Sequence, residues 1–335
     1  MKFFKKLRPL IAILFPILLI TGILIILFEW RWSFPFSITL PFLVIVTFMQ
    51  LLFLLYRRRR YAFLNILSLV LFFFFFDSFY QFNFYSDEKQ GENSVSILSY
   101  NANWSNFAHR GIDYKDKKIV EFIKQQNADV VCFQEFSAIK YHLFRKDYPH
   151  WVKTNLMTRK QKSVLSVFSK YPILNEGYVE FLDSRNNAMF VDIDFNGKIV
   201  RLYNIHLESN RMDSVPELYN INSYTNLISR SCDAEIKRIE QAHLIKEHMK
   251  GFGGNIIITG DFNCTQYSSA YLVLKDTKKD TFVEAGSGFG GTYELFNYPF
   301  KIDHILVDDE IEVISHKNFK IGLSDHEPIM AEIKL

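Results

Sequence analysis

From Pro9 to Phe28 no charged residue interrupts an apolar run, and the same holds from Ser33 to Tyr56. Each run matches the roughly 20 residues that an α-helix needs to cross a bilayer core. A third run, Tyr61 to Phe76, stops at Asp77, and Phe79, Tyr80, Phe82, Phe84 and Tyr85 extend it as an interfacial aromatic belt. The pattern predicts a membrane region over residues 1–85 with about three transmembrane helices, near 9–29, 35–56 and 61–81. The first run follows Lys2, Lys5, Lys6 and Arg8, but its apolar core is too long for a secretory signal and no small-x-small cleavage site follows, so it reads as an anchor. Residues 86–93, polar and containing Gly91, read as a linker, and 94–335 as one large domain.

Within that domain the periodicity changes. Val95–Tyr100 reads as a strand, Asp113–Asn127 as a helix carrying Ile119, Val120, Phe122 and Ile123 at helical spacing, and Asp129–Phe133 as a second strand. From Trp151 onward strands dominate: Ser163–Phe168, Gly177–Phe181, then a hairpin of Met189–Phe195 and Lys198–Ile205 about the turn Asn196-Gly197. Asp233–Lys250 is amphipathic and closed by Gly251, which predicts a helix. The apolar run from Asn255 ends in Gly260, Asp261 and Asn263, the pattern of a buried strand delivering polar groups to a sheet edge. A helix near Ser268–Leu274, a glycine-rich loop at Gly286–Gly291, and strands Lys301–Val307 and Ile329–Ile333 complete the chain. Two sheets packed face to face with helices outside is the economical α/β architecture.

The chain is 49% hydrophobic and 22% charged, and the apolar excess lies before residue 86. Nine of the 39 Lys and Arg and two of the 36 Asp and Glu also lie there, leaving 30 cations against 34 anions in the rest. The overall charge of +3 is therefore a membrane-topology signal and not a nucleic-acid footprint. The N-terminal cations and the loop Arg57–Arg60 predict a cytoplasmic N-terminus, and three crossings would put residues after 86 on the extracytoplasmic side. Cys132, Cys232 and Cys264 have no metal-type spacing, and no structural disulfide is expected.

Polar residues stand at or near predicted strand ends six times: Asn101, Glu135, His206, Asp261 with Asn263, Asp303, and Asp325 with His326. Singly, each has an ordinary use as a turn residue, a helix cap or a local hydrogen-bonding group. Six in one domain point to a site. Alternation along an extended backbone puts Asp261 and Asn263 on one face and Phe262 on the other.

These segments resemble the endonuclease/exonuclease/phosphatase superfamily over roughly residues 94–335. The carriers are Asn101 in Ser-Tyr-Asn-Ala-Asn, Glu135 in Phe-Gln-Glu, Gly-Asp-Phe-Asn at 260–263, Asp303 in Ile-Asp-His-Ile and Ser-Asp-His at 324–326. His206 in Asn-Ile-His-Leu resembles the histidine-bearing branch of that family. The resemblance implies a four-layered α/β sandwich of two mainly antiparallel sheets, with the site at one rim, and hydrolysis of phosphoesters by direct water attack. It implies Glu135 as principal metal ligand beside Asn101, with Asp325 as a further ligand. Asp261 is placed to orient or deprotonate water, Asn263 to hold a phosphate oxygen, and Asp303 to fix the tautomer of His326. His326 and His206 would stabilise developing charge or protonate the leaving oxygen, and whether Asp261 or the Asp303–His326 pair is the base stays open. Mg²⁺, with Mn²⁺ as a substitute, suits an oxygen donor set with few carboxylates.

The expected substrate is a phosphoester, either nucleic acid or a phospholipid headgroup of the sphingomyelin type, and the expected partner is the bilayer, with no obligate protein partner evident. A catalytically silent, membrane-tethered binding module is the reading from another class, and the full set of acidic, amide and imidazole positions opposes it. Of the neighbouring residues, His304 is expected to face away from Asp303 and Glu208 to be a solvated rim charge. Thr292 is balanced between substrate contact and structure, and His109 and Arg110 have no spacing that assigns them a role.

Overall fold

A computed structural model describes residues 2–58, 60–83, 94–103, 114–137, 140–155, 162–210, 221–295 and 298–335. The expected linker 86–93, His109, Arg110 and Arg59 lie outside the described residues. In chain order the helices are α1 (Lys2–Leu27), α2 (Ser33–Tyr56), α3 (Ala62–Phe75), α4 (Tyr114–Gln126), α5 (Ile221–Met249), α6 (Ser269–Lys275) and α7 (Thr281–Ala285). The principal strands are β1 (Ser94–Asn101), β2 (Val130–Gln134), β3 (His150–Lys153), β4 (Ser166–Ser169), β5 (Ile173–Val179), β6 (Asn187–Phe195), β7 (Lys198–His206), β8 (Asn255–Asp261), β9 (Lys279–Asp280), β10 (Asp303–Val307), β11 (Glu312–Asn318) and β12 (Ile329–Lys334).

The chain forms two compact units. One comprises Met1–Phe79, Asn210–Ile239 and Thr265–Leu272, the other Tyr80–Ser209, Glu240–Cys264 and Val273–Leu335. In the first, Leu19, Ile23 and Ile26 of α1 pack with Leu40 and Val44 of α2, Leu69 and Phe72 of α3, and Tyr267. Phe53, Phe63 and Phe74 point outward and are exposed. Among the described residues, α1 and α2 are the helices long and apolar enough to cross a membrane; α3 has 14 residues. It ends at Phe75 and does not reach residue 81, because the charge of Asp77 follows and Phe76 is already extended. Gln81 and Phe82 instead pair as a short strand with Ser287 and Gly288. Helix α5 starts well before the expected Asp233. Ser231 and Cys232 are buried there, and Arg31 donates 3.0 Å hydrogen bonds to both Ser229 and Asp233, so tertiary contacts hold a stretch of modest helix propensity.

The second unit contains two six-stranded sheets, of order β11-β12-β1-β2-β4-β3 and β9-β10-β8-β7-β6-β5. Neighbours are antiparallel except β1 with β2 and β7 with β8. The two-residue turn Asn196-Gly197 joins β6 to β7, both residues at positive φ as such a hairpin requires. Val95, Ile97, Val130 and Cys132 of one sheet meet Met189, Val191, Leu202, Ile257 and Ile305 of the other, forming the central core. On the outer face of the first sheet, Ile119, Phe122 and Ile123 of α4 cover Leu98, Val131 and Phe133. On the second, His248 near the end of α5 meets the Tyr203 hydroxyl at 2.7 Å and lies 4.8 Å from the Phe190 ring. The result is the four-layered α/β sandwich.

The alternation that turns Ile97, Leu202, Ile257 and Ile305 inward continues toward one rim, where the inward positions become polar. From the end of β2, Gln134 Nε2 reaches one layer inward and donates to Asn204 Oδ1 at 2.7 Å and to Ser99 Oγ at 3.2 Å. Asn204 Nδ2 donates in turn to the carbonyls of Phe133 and Ser166, both at 3.0 Å. The three cysteines are free and buried.

Candidate active site

The parallel strands β1 and β2 end together at Asn101 and Gln134, and β7 and β8 end together at His206 and Asp261. Strand β10 runs the other way, so its first residue, Asp303, pairs with the last residue of β8. Topology alone therefore gathers Asn101, His206, Asp261 and Asp303 at one rim. Gly260 makes the approach possible: it sits at φ +135°, and a Cβ there would lie 2.1 Å from the Ile205 carbonyl oxygen. Just past the strand ends, Glu135 and Asn263 take left-handed φ values of 49° and 52°, an uncommon backbone that turns each away from its strand.

Asp261 is the hub. Its Oδ2 accepts from Asn101 Nδ2 at 2.9 Å and lies 3.5 Å from His206 Nε2 and 3.6 Å from His326 Nε2, while Oδ1 accepts from the Asn263 backbone N–H at 2.8 Å. His326 Nδ1 bonds Asp303 Oδ2 at 2.8 Å, so Nε2 faces Asp261. His206 Nδ1 meets Ser163 Oγ at 3.1 Å, and its Nε2 is 3.9 Å from Glu135 Oε1. Burial disfavours the His326 cation, but the charges of Asp303 and Asp261 outweigh it and lift the imidazole to about 10. Burial also raises the Asp303 carboxyl, against the opposing charge of His326 and with that of Asp261 adding to it. The pair is an imidazolium held between two carboxylates.

The cation Mg²⁺ requires oxygen donors, and Glu135, Asn101 and Asp325 supply only oxygens. The Glu135 side chain is 30% exposed, and its Oε1 lies 3.9 Å from His206 Nε2. Asp325 is exposed and tied to the same corner: Asn103 Nδ2 donates to its Oδ1 at 3.1 Å while Asn103 N donates to Asn101 Oδ1 at 3.1 Å. Ser324 Oγ adds a 2.9 Å bond to the Asn101 carbonyl. This donor set fits a hard divalent ion. Asp261, Asp303 and His326 also offer ligand atoms within 4.8 Å of one another. Within that cluster His326 Nδ1 is already bonded to Asp303 Oδ2 and Asp261 Oδ2 to Asn101 Nδ2.

Asn263 Nδ2 donates to the Leu207 carbonyl at 3.0 Å, leaving its second amide hydrogen for a ligand. His304 faces the opposite side of β10 from Asp303, its Nε2 bonded to the Cys264 carbonyl at 3.1 Å and its Nδ1 2.6 Å from Lys301 Nζ. Glu208 is not a solvated rim charge: it is buried, and Ser184 Oγ donates to it. Thr292 is buried and structural, its hydroxyl accepting from the backbone N–H groups of Ile302 and Asp303 at 3.2 Å. Two contributors escaped the reading by strand ends. Ser163, expected to open a strand, lies in the loop before β4, which starts at Ser166, and Tyr293 packs its ring 4.9 Å from that of His326 by a pairing distant in sequence.

The model of the endonuclease/exonuclease/phosphatase family matches residues 98–326. Truncated TDP2 from Caenorhabditis elegans superposes with a TM-score of 0.55 at 17% identity, covering 74% of this chain and 100% of that one. An endonuclease/exonuclease/phosphatase from Bacteroides vulgatus gives 0.55 at 20% identity, covering 72% and 99%. TDP2 from D. rerio, complexed with a single-strand DNA product, gives 0.54 at 15% identity, again covering 72% and 99%. No curated protein matches in sequence. At these identities the structural likeness shows the fold, and the family model covers most of the chain: this protein belongs to the endonuclease/exonuclease/phosphatase family.

Proposed function

We propose that this chain is a membrane-anchored, divalent-metal-dependent phosphoesterase that cleaves phosphodiester or phosphomonoester bonds by direct in-line attack of water. The observation that carries the reading is the convergence on Asp261, with Asn101 at 2.9 Å, His206 at 3.5 Å and His326 at 3.6 Å. Phosphoester hydrolysis needs positive charge against the phosphoryl oxygens and an oriented water. His326, held cationic by Asp303, supplies a charged donor. Asp261, its orientation fixed by Asn101 and the Asn263 N–H, orients the water and accepts its proton. Asn263 holds a phosphoryl oxygen through its remaining amide hydrogen, and His206, backed by Ser163, faces the leaving side. Glu135, Asn101 and Asp325 would hold a Mg²⁺ or Mn²⁺ ion, whose contribution when bound is to neutralise charge on the phosphoryl oxygens.

Membrane anchoring draws on α1 and α2, whose apolar windows have mean hydropathies of 3.1 and 2.4 and are only 33% buried. Helix α3, about 21 Å long at 1.5 Å per residue, is shorter than a bilayer core of ~30 Å. Two crossings leave the catalytic residues on the side of the N-terminus and of Arg57, Arg58 and Arg60; three place them outside the cytoplasm. A reporter fused after Leu335 reads which holds. The exposed apolar helices favour phospholipid headgroups as a second reading of the substrate beside nucleic acid.

The test uses the full-length chain in detergent micelles with bis-p-nitrophenyl phosphate. Hydrolysis that requires Mg²⁺ or Mn²⁺ and stops with chelator is expected. Turnover surviving complete metal removal would refute the reading, and no turnover on any ester would favour a silent module. A panel of DNA, RNA, sphingomyelin and phosphoinositides then separates the substrates, since cleavage of a polyanion weakens steeply with salt.

A further inference from the structure

We propose that Asn187 is a further substrate-binding residue of this site, its carboxamide engaging a phosphoryl oxygen together with a water on the leaving side. This rests on the phosphoesterase reading above. Asn187 opens β6 and pairs directly with His206; His206 pairs with Asp261, and Asp261 with Asp303. Four adjacent strands thus present one row of side chains at the rim. The row points inward, because Asn187 alternates with the outward positions of β6 and shares its face with the core residues Met189, Val191, Ile193 and Phe195. Cross-strand partners on one face bring their Cβ atoms to about 5 Å, so Asn187 flanks His206 opposite Asp261.

Its hydrogen bonding sets it apart. Asn187 is 0% exposed, yet among the described residues neither its Nδ2 nor its Oδ1 has a partner. Neighbouring buried amides do not share this state. Asn204, on the next strand and one layer in, uses both ends of its amide, and the adjacent Asn186 donates to the Leu207 carbonyl. Buried polar groups in folded proteins are nearly always paired, and an amide with both ends unpaired is costly to keep. A ligand that completes it would need an acceptor for the N–H and a donor for the carbonyl. A phosphate ester offers only acceptor oxygens, and a water bound on the leaving side beside His206 offers the donor. Their combination satisfies both ends, and a neutral donor suits a rim that already holds Asp261 and Asp303 against an anionic substrate.

Asn187→Leu removes the amide at similar volume and should melt at or above the wild-type temperature while kcat/KM for bis-p-nitrophenyl phosphate falls ~10- to 100-fold, the effect of losing one or two hydrogen bonds to the reacting group. Asn187→Asp keeps the shape and the ability to hold a structural water but turns the donor into an anion, so it should lose at least as much activity; it also serves if the leucine variant does not fold. Inorganic phosphate with Mg²⁺ should raise the melting temperature of the full-length wild type in micelles and fail to do so for either variant. Activity within twofold of wild type and unchanged stabilisation by phosphate would overturn the proposal and leave Asn187 a structural residue. An inactive wild type overturns both this and the phosphoesterase reading, whereas an active wild type with indifferent variants overturns this one alone.

Discussion

Acid should unfold the catalytic unit from behind the site, in a pH window set by two buried histidines. The ammonium of Lys301, 2.6 Å from His304 Nδ1, can only donate, so Nδ1 is the acceptor and Nε2–H donates to the Cys264 carbonyl. Burial, reinforced by the Lys301 charge, pushes His304 down to about 4. Burial likewise pushes His316, whose Nδ1 meets Thr281 Oγ1 at 2.8 Å, down to about 3, with the charge of Asp280 opposing. Both folded values lie below the ordinary value near 6.5, so between pH 6.5 and 4 the unfolded chain binds more protons and stability falls as pH falls. At pH 5 the loss is roughly 2 kcal/mol for each histidine, or about 4 together, against a typical total of 5–15 kcal/mol. Asp280, held below the ordinary carboxylate range because Lys301 and His304 outweigh its burial, adds its loss only at lower pH. Urea unfolding of the full-length chain in micelles, followed by near-UV circular dichroism from pH 7.5 to 5, measures this. The midpoint should rise as pH falls from 7.5 to 6.5, because the fold holds His326 protonated where the unfolded chain does not, then fall steeply below 6.5, and lose most of that fall in a His304→Gln/His316→Gln double variant. A wild type insensitive to pH, or a double variant with the wild-type slope, refutes the reasoning.

Glu135→Gln and His326→Ala should each lower turnover by ~100-fold or more with melting retained, the scale of losing a metal ligand or a charged donor; a near-normal rate in either contradicts its role. Gly260→Ala should abolish cooperative folding, since the added Cβ would sit 2.1 Å from the Ile205 carbonyl oxygen at a φ that alanine avoids, and a wild-type melting curve would show that β7 and β8 can part cheaply. Asp280→Asn removes the 2.6 Å carboxylate partner of Lys301, both groups being buried, and should cost on the order of 3–5 kcal/mol in urea unfolding; unchanged stability would mean that Lys301 finds another partner.

Residues whose position follows from strand alternation were readable in the sequence. Asp261 and Asn263, Asp303 against His304, and the Asn196-Gly197 hairpin all follow from a period of two broken by a turn. What failed lies where tertiary contacts override local pattern. The first turns of α5 have little helix propensity, and it is Arg31, far off in sequence, that bonds Ser229 and Asp233 there. Strand β11 went unread because its exposed and buried residues do not alternate cleanly and its pairing shifts register between Val313 and Ser315. Glu208 looked like a rim charge because burial of a carboxylate depends on partners such as Ser184, which no local pattern announces.

The same distinction explains why the residues at the six strand ends were visible and Asn187 and Ser163 were not. A strand-end acid or imidazole after an apolar run violates the expectation for its position, and the violation is the signal. An asparagine before a hydrophobic strand violates nothing, since asparagine is an ordinary residue at strand starts and turns. Only the register, which sets Asn187 beside His206 and the row ending in Asp303, converts that ordinary asparagine into an anomaly: a buried amide with neither end paired among the described residues. Chemistry built on acids can thus be read along the chain, whereas the neutral groups that complete such a site become visible only across the sheet.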